Sequence, residues 1–190
     1  RVQKAYPKKN IKVIRQTGEG KGDAVRSGFK LAGGDVLFIL DADLTVPPET
    51  LPQFYNAIAS GKGEYIHGSR LVYPMEEESM RFLNLVANWV FARVFSYLLN
   101  QRITDTLCGT KVLTKAHYNK IAENRNYFGI LDPFGDFDLL FGATKLNLKI
   151  LEIPIRYARR TYGTTQISRF KHGWLLLRMA LKAYLKIKAI

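Results

Sequence analysis

The feature that most constrains the fold of this chain is an apolar segment, Val36–Leu40, that runs directly into two carboxylates, Asp41 and Asp43. Glycines precede the segment and prolines follow it, a pattern typical of a central strand in a parallel sheet. Alternate side chains of an extended backbone point the same way, so both aspartates can face one crevice. Such a pair suits a divalent cation that holds a diphosphate. A solvated turn is the alternative interpretation.

Composition limits the class of protein. The chain has 190 residues, of which 47% are hydrophobic, enough for one packed domain. Its single cysteine, Cys108, excludes an internal disulfide and fits a reducing compartment. No Cys/His cluster has the spacing of a zinc site. We therefore predict a cytoplasmic protein, with the cytoplasmic face of a membrane as the alternative position.

The charge of the chain predicts an anionic partner. The net charge is +13, and residues 156–190 contain nine basic side chains and no acidic one. Phosphate groups, acidic lipid and nucleic acid are all compatible with such a segment. The sequence shows no helix-turn-helix, zinc-finger or RNP-type pattern, so we predict no nucleic-acid partner. A non-catalytic basic domain that binds a membrane surface or nucleic acid remains the alternative function.

The order of the predicted elements indicates an α/β fold with a mostly parallel sheet and flanking helices. We assign residues 1–170 to one domain and residues 171–190 to a C-terminal helix. The predicted strands are Ile11–Arg15, Val36–Leu40, a strand from Tyr65 and Lys149–Tyr157, with Pro154 indicating an edge or a bulge. The predicted helices are 23–31, 47–60, 80–99, 115–124, 135–146 and 172–190.

Two of the predicted helices leave an alternative open. Met80–Leu99 is apolar nearly all round, which favours burial in the core or partial insertion in a membrane interface. The C-terminal helix is amphipathic and basic, with Arg178, Lys182 and Lys186 in i, i+4 register. It can lie in a lipid headgroup layer as a peripheral anchor, or pack on the domain with a solvated basic edge.

Further polar residues lie near predicted helix starts. In the glycine-rich segment Gly18–Gly22, Lys21 offers a positive charge that suits phosphate, although the segment lacks the Walker pattern. Asp136 is a candidate general base. Asp138 lies two residues on and is a structural candidate, because carboxylates at a helix start are often caps.

Taken together, these segments resemble the family 2 glycosyltransferases, most closely the branch that transfers sugars to dolichyl or polyprenyl phosphate. The matching residues follow one another in order along nearly the whole chain. They are Gly20-Lys21-Gly22-Asp23-Ala24, Leu40-Asp41-Ala42-Asp43, Pro47-Pro48-Glu49, Gly68-Ser69-Arg70, Asp105-x-x-Cys108-Gly109, Phe137-Asp138 and Arg160-x-x-Gly163.

The resemblance implies a GT-A fold that binds a nucleotide-sugar donor with Mg²⁺ or Mn²⁺. It implies that Asp41 and Asp43 bind the metal and diphosphate, and that Lys21 and Asp23 line the nucleotide side. The implied contacts with a lipid-phosphate acceptor are Arg70, Arg81 and Arg160, and the implied acceptor-side acid is Asp136 or Asp138. A phosphate acceptor needs arginines more than a base, whereas a hydroxyl acceptor needs a base such as Asp136.

One departure from the family pattern concerns the beginning of the chain. Family members start with a strand, a helix and a second strand that hold the base and ribose, and Ile11–Arg15 corresponds to their third strand. The family's sheet order would place the absent strands between Ile11–Arg15 and Val36–Leu40. We therefore expect an N-terminally truncated domain, with little or no transferase activity from these 190 residues alone.

Overall fold

The computed structural model describes residues 1–73, 82–125, 135–159 and 169–187, and these residues form helices around one sheet. The strands are β1 (Val36–Ile39), β2 (Tyr65–Ser69), β3 (Lys111–Thr114) and β4 (Ile150–Pro154). The helices are α1 (Val2–Ala5), α2 (Gly20–Leu31), α3 (Leu51–Ala59, after a 3₁₀ turn at Pro48–Thr50), α4 (Phe82–Leu99), α5 (Lys115–Glu123), α6 (Asp136–Lys145) and α7 (Arg169–Ile187).

The sheet has the strand order β1-β3-β2-β4. β2 and β4 are parallel, while β3 runs antiparallel to both of its neighbours, β1 and β2. Three of the four strands therefore share one direction, and the predicted α/β fold with a mostly parallel sheet is confirmed. Pro154 ends β4, an outer strand, as the proline in that segment predicted.

The sequence prediction missed β3, and this changes the place of the strand before the two aspartates. β3 is only four residues long and follows a turn-rich segment, so it carries little periodic signal, yet Val112 and Leu113 are fully buried. It pairs with β1 on one side. Within the described ranges no strand pairs with the other side of β1, so Val36–Ile39 is an edge strand here and not the predicted central one.

The predicted strand at Ile11–Arg15 is also wrong. These residues belong to no strand or helix, and the Val13 side chain is 77% exposed. Alternation of apolar and basic residues predicts a strand only where another strand can pair with it. No described strand pairs with this segment, so its alternating pattern does not lead to a β-strand.

Both faces of the sheet are covered by apolar side chains. Tyr65 and Leu113 face a core that includes Phe95 of α4, Phe137 of α6 and Met179 of α7. The alternate strand residues contribute to a second core with α3, built from Val46, Phe54, Ala57, Ile66, Cys108, Val112 and Ile155. This alternation is what a strand buried on both sides requires.

Helices α4 and α7 pack against each other, and each has one buried and one exposed apolar face. Among the α7 side chains whose burial is described, the buried ones are Leu176, Met179, Ala180 and Ala183, at the spacing of one helical face. The C-terminal helix thus contributes to the core. Its other side chains nevertheless leave apolar groups exposed, including Trp174 at 63% and Leu181 at 61%. No helix in the described part of the chain is long and apolar enough to cross a bilayer.

Candidate active site

Four segments meet at one end of β1 and form the candidate site. Asp41 lies just after β1, and its Oδ1 is 2.7 Å from the Nζ of Lys21 in the first turn of α2. The loop before β3 passes this pair at Gly109, and α6 begins beside it at Asp136. Both side chains of the pair stay partly accessible, 31% for Lys21 and 39% for Asp41. An accessible ion pair beside a helix start can exchange partners with an incoming anion and cation.

Two glycines allow these segments to approach one another. A Cβ at Gly109 would lie 1.9 Å from Asp41 Oδ2 and 2.7 Å from Lys21 Nζ, closer than any side chain permits. Gly135 has φ of +73°, and a Cβ there would lie 2.7 Å from the Cα of Gly22. The start of α6 therefore rests directly on the first turn of α2, which brings Asp136 and Lys21 into one site.

The charge of Lys21 is maintained by two carboxylates. Burial by itself lowers the pKa of Lys21, but the nearby Asp136 and Asp41 carboxylates outweigh it, and the pKa is raised above its ordinary value. Lys21 therefore carries a full positive charge at neutral pH. A fixed cation in the first turn of α2, next to backbone N–H groups, is suited to binding phosphate oxygens.

Asp43 is positioned by the turn that follows β1. Its Oδ1 accepts bonds from the backbone N–H of Thr45 at 3.2 Å and the Thr45 hydroxyl at 2.9 Å. The turn is tight, because Leu44 adopts φ of +54° and its N–H donates to the Asp41 carbonyl at 3.3 Å. The two aspartates thus stand at either end of a short, bonded turn.

The donor chemistry of this turn fits Mg²⁺ or Mn²⁺ bound together with phosphate. Asp41 and Asp43 supply hard carboxylate oxygens. Within the described ranges no group of three or more His, Cys, Asp or Glu residues could hold a metal, so these two aspartates could be only part of its ligand shell. Mg²⁺ commonly binds one or two carboxylates and completes its shell with water and substrate phosphates. The absence of a Cβ at Gly109 lets the Asp41 and Lys21 side chains lie directly against its backbone.

Asp23, the second predicted nucleotide-side residue, closes the glycine-rich loop. Its Oδ2 accepts the backbone N–H of Gly18 at 2.8 Å, and its Oδ1 lies 4.0 Å from an Arg26 nitrogen. A loop held in this way keeps the start of α2 in place beside Asp41. The predicted contact of Asp23 with a nucleotide stays a prediction.

Sequence reasoning missed Lys111, the partner of Asp136. The Lys111 Nζ lies 2.8 Å from Asp136 Oδ1 and also donates to the Cys108 carbonyl, and both charged residues are buried. The available signal was a lysine at the start of a short apolar run, Lys111-Val112-Leu113. Such a lysine usually lies at an exposed strand end, so the sequence did not single it out.

Asp138 has a different partner. Its Oδ2 accepts a bond from Arg125 Nε at 2.7 Å, where Arg125 also lies over the Tyr118 ring. The carboxylate therefore links the beginning of α6 to the end of α5.

Arg81 and Arg160, two of the three predicted acceptor contacts, lie outside the described residues.

Arg70, the third predicted acceptor contact, is engaged by Asp105. Its Nε and Nη2 donate to the two Asp105 oxygens at 2.6 and 2.7 Å, and its backbone N–H donates to Oδ2 at 3.0 Å. Asn88 and the backbone of Leu107 also donate to Asp105, which is fully buried. Burial alone would raise the pKa of Asp105, but the Arg70 charge and hydrogen bonds lower it below its usual range.

Glu152 of β4 supports the loop that carries Asp105. Its carboxylate accepts the backbone N–H groups of Thr104 and Asp105 and the Thr104 hydroxyl, and its Oε1 lies 3.1 Å from His67 Nε2. Burial alone would raise the pKa of Glu152, but the contact with His67 and these backbone bonds lower it.

Cys108 follows this loop, and burial raises the pKa of its thiol to about 11, so it is not a nucleophile at neutral pH.

The lowered pKa values of Asp105 and Glu152 predict that the folded protein loses stability in acid. A carboxyl whose folded-state pKa is lowered contributes stability above its unfolded-state pKa, about 3.9 for Asp and 4.3 for Glu. That contribution is lost as the pH falls through the folded-state value. We expect the free energy of unfolding from urea titrations to fall steeply below about pH 4. In Glu152→Gln the fall should be shallower, and equal slopes in the two proteins would contradict this account.

Comparison with known proteins assigns the chain to a family. The family model described as glycosyl transferase family 2 matches residues 1–123. A dolichyl-phosphate hexose transferase from Haloferax volcanii is 30% identical over 166 residues, which cover 87% of this chain and 68% of that protein. A dolichol-phosphate mannosyltransferase from Pyrococcus furiosus is 32% identical over 170 residues, which cover 88% of this chain and 46% of that protein.

Two solved structures show the same fold. They are crystal structures of glucosyl-3-phosphoglycerate synthase from Mycobacterium tuberculosis, one with phosphoglyceric acid (TM-score 0.56, 12% identity) and one with UDP (TM-score 0.54, 14% identity). Each alignment covers 97% of this chain and 59% of that protein. At this level of identity the similarity concerns the fold. The chain thus spans between about half and two thirds of the length of the proteins that it matches.

Proposed function

Because the chain belongs to glycosyl transferase family 2 and has its GT-A fold, we propose that it transfers a sugar from a nucleotide-sugar to a polyprenyl or dolichyl phosphate. The names of two relatives include dolichyl or dolichol phosphate, which supports a lipid phosphate as the acceptor. One structure of the same fold contains UDP, which supports a nucleotide-linked sugar as the donor. The observation that carries the proposal is the Lys21–Asp41 pair beside Gly109, because it places a cation and a carboxylate, both partly accessible, at the end of β1.

On the donor side, Asp41 and Asp43 would hold Mg²⁺ or Mn²⁺. When bound, the metal neutralises the charge that develops on the nucleoside diphosphate leaving group. Lys21 donates to phosphate oxygens from the first turn of α2, where the helix dipole also favours an anion. Asp23 holds the glycine-rich loop against α2 through the Gly18 N–H, so that this side of the nucleotide site is ordered before the nucleotide binds.

On the acceptor side, arginines matter more than a base. A phosphate monoester has a second pKa of about 6 and is largely ionised near neutral pH, so no proton has to be removed before it attacks the anomeric carbon. Arg70 is held in place by its two bonds to Asp105, and we assign it to the acceptor phosphate together with Arg81 and Arg160. Asp136 and Asp138 keep their ion pairs when the acceptor is a phosphate, and Asp136 is the proposed base only for a hydroxyl acceptor.

Binding measurements test this function. We expect calorimetry to detect UDP or GDP binding in the presence of Mn²⁺ and none after addition of EDTA. Vesicles that contain polyprenyl phosphate should bind the protein more tightly than vesicles that contain the corresponding polyprenol. A protein that binds neither nucleotide, or that does not distinguish phosphate from alcohol, would contradict the proposal.

We also propose that the exposed sides of α4 and α7 rest on an anionic lipid surface. The two helices leave a groove of about 520 Å³, lined by Arg93, Val94, Tyr97, Leu177, Leu181 and Tyr184. Trp89 and Trp174 are also exposed, and the Arg93 guanidinium lies 4.0 Å from the Trp89 ring centre. Neither α4 nor α7 contains an acidic residue. Aromatic and aliphatic side chains next to basic ones are suited to the headgroup layer of a negatively charged bilayer, where the apolar groups insert and the basic groups contact anionic lipid.

Flotation with vesicles tests this surface. We expect the protein to float with vesicles of phosphatidylcholine and phosphatidylglycerol, and less with phosphatidylcholine alone, because each basic group near the surface contributes about 1 kcal/mol. Leu177→Glu/Leu181→Glu should abolish flotation, while the control Leu31→Glu/Tyr55→Glu changes equally exposed side chains elsewhere and should not. Unchanged flotation of the first variant would contradict the proposal. If the wild-type protein were a dimer and this variant a monomer, the surface would instead be the contact with a second copy of the chain.

A further inference from the structure

Lys111 and Asp136 form a buried ion pair directly beside the proposed donor site. The two residues are 1% and 6% exposed, and the Lys111 Nζ lies 2.8 Å from Asp136 Oδ1. A buried ion pair contributes little to stability, because the cost of removing two charges from water offsets their attraction. The position of this pair suggests a role beyond stability.

The backbone places this ion pair next to Lys21. Gly135 rests on Gly22, so the residues adjoining them, Asp136 and Lys21, belong to the same contact between α6 and α2. Lys21 is attracted by two carboxylates, Asp136 and Asp41. Along this part of the site the charges therefore alternate in the order Asp41, Lys21, Asp136 and Lys111.

We propose that Lys111 is a positioning residue that holds Asp136 as a second counter-charge for Lys21. When a divalent cation takes the Asp41 carboxylate, Lys21 loses its 2.7 Å partner but keeps Asp136. Without Asp136, the release of Asp41 would leave the Lys21 ammonium, in a side chain that is 31% exposed, without either of the two carboxylates that stabilise its charge, which is costly. The ion pair thus makes Asp41 available to the cation and Lys21 available to phosphate. This inference rests on the proposed donor site.

A double-mutant cycle in the absence of metal tests the electrostatic part of the inference. Lys111→Met/Asp136→Leu removes the ion pair without leaving one buried charge unpaired, so this variant should fold. In the wild-type background, Asp41→Asn should lower the melting temperature by less than about 2 °C, because Asp136 still accompanies Lys21. In the double-variant background the same change should lower it by at least about 4 °C. Equal shifts in both backgrounds would overturn the inference.

A metal titration tests the functional part. We expect the Mn²⁺ concentration for half-maximal UDP or GDP binding to rise about tenfold in Lys111→Met/Asp136→Leu, because Lys21 then competes more strongly for Asp41. Lys115→Met is the matched control, since the Lys115 ammonium donates to the Ala32 carbonyl and pairs with no site carboxylate. An unchanged Mn²⁺ requirement in the double variant would overturn the inference.

The two experiments separate this inference from the proposed function. A wild-type protein that binds neither nucleotide would contradict the donor site, whereas the metal-free cycle would still decide whether Asp136 serves as a counter-charge for Lys21. Lys111→Arg with normal Asp136 should retain a Mn²⁺ requirement closer to that of the wild type than Lys111→Met does, because it preserves the charge.

Discussion

Replacing Arg70 by Met is expected to destabilise the protein by about 3–5 kcal/mol. The change removes both guanidinium bonds to Asp105 and leaves a carboxylate with no solvent exposure and no opposite charge. For a domain of this size, such a loss lowers the melting temperature by roughly 10 °C. Urea unfolding followed by circular dichroism measures it directly.

Two further variants show whether the cost comes from the unpaired carboxylate. Arg93→Met removes an exposed arginine that lies over Trp89, and it should cost less than about 1 kcal/mol. Arg70→Met/Asp105→Leu should regain much of the stability, because neither charge is then left unpaired. If the single variant Arg70→Met were as stable as Arg93→Met, the Arg70–Asp105 pair would not organise this part of the fold.

Replacing Asp41 by Asn is expected to weaken Mn²⁺-dependent binding of UDP or GDP by about 100-fold or more. The change removes one of two anionic ligands proposed for the cation, although its volume and hydrogen-bonding oxygen are preserved. Asp43→Asn should act in the same direction, because an amide oxygen can still accept the Thr45 bonds while the charge is lost. Isothermal titration calorimetry with and without EDTA measures both effects.

The control for Asp41→Asn lies at the other end of the same strand. Asp35 precedes β1, its side chain is exposed, and Asp35→Asn should leave nucleotide affinity unchanged. Because the Lys21–Asp41 pair is partly accessible, Asp41→Asn should change stability by less than about 1 kcal/mol. Wild-type affinity in both Asp41→Asn and Asp43→Asn would remove the basis for a cation at this turn.

Much of the fold could be predicted from short stretches of sequence. The helices predicted at 23–31, 115–124 and 135–146 have bounds within a few residues of α2, α5 and α6, because capping, glycine and periodicity act over a few residues. The strand over Val36–Leu40 was predicted for the same reason, whereas the turn at Asp43 was only the alternative interpretation of the segment after it. The Ile11–Arg15 prediction was wrong because a strand also requires a neighbour, which alternation alone does not supply.

What the sequence by itself determined is therefore the local chemistry: two aspartates after β1, a lysine in the first turn of α2, and the order of motifs that shows the family. Only the tertiary structure decided which charges meet. Arg70 and Asp105 are 35 residues apart, and Lys111 and Asp136 are 25 apart, so their pairing depends on how β2, β3 and α6 pack. Backbone preferences act between near neighbours, whereas desolvation and ion pairing depend on distances that exist only after the chain has folded.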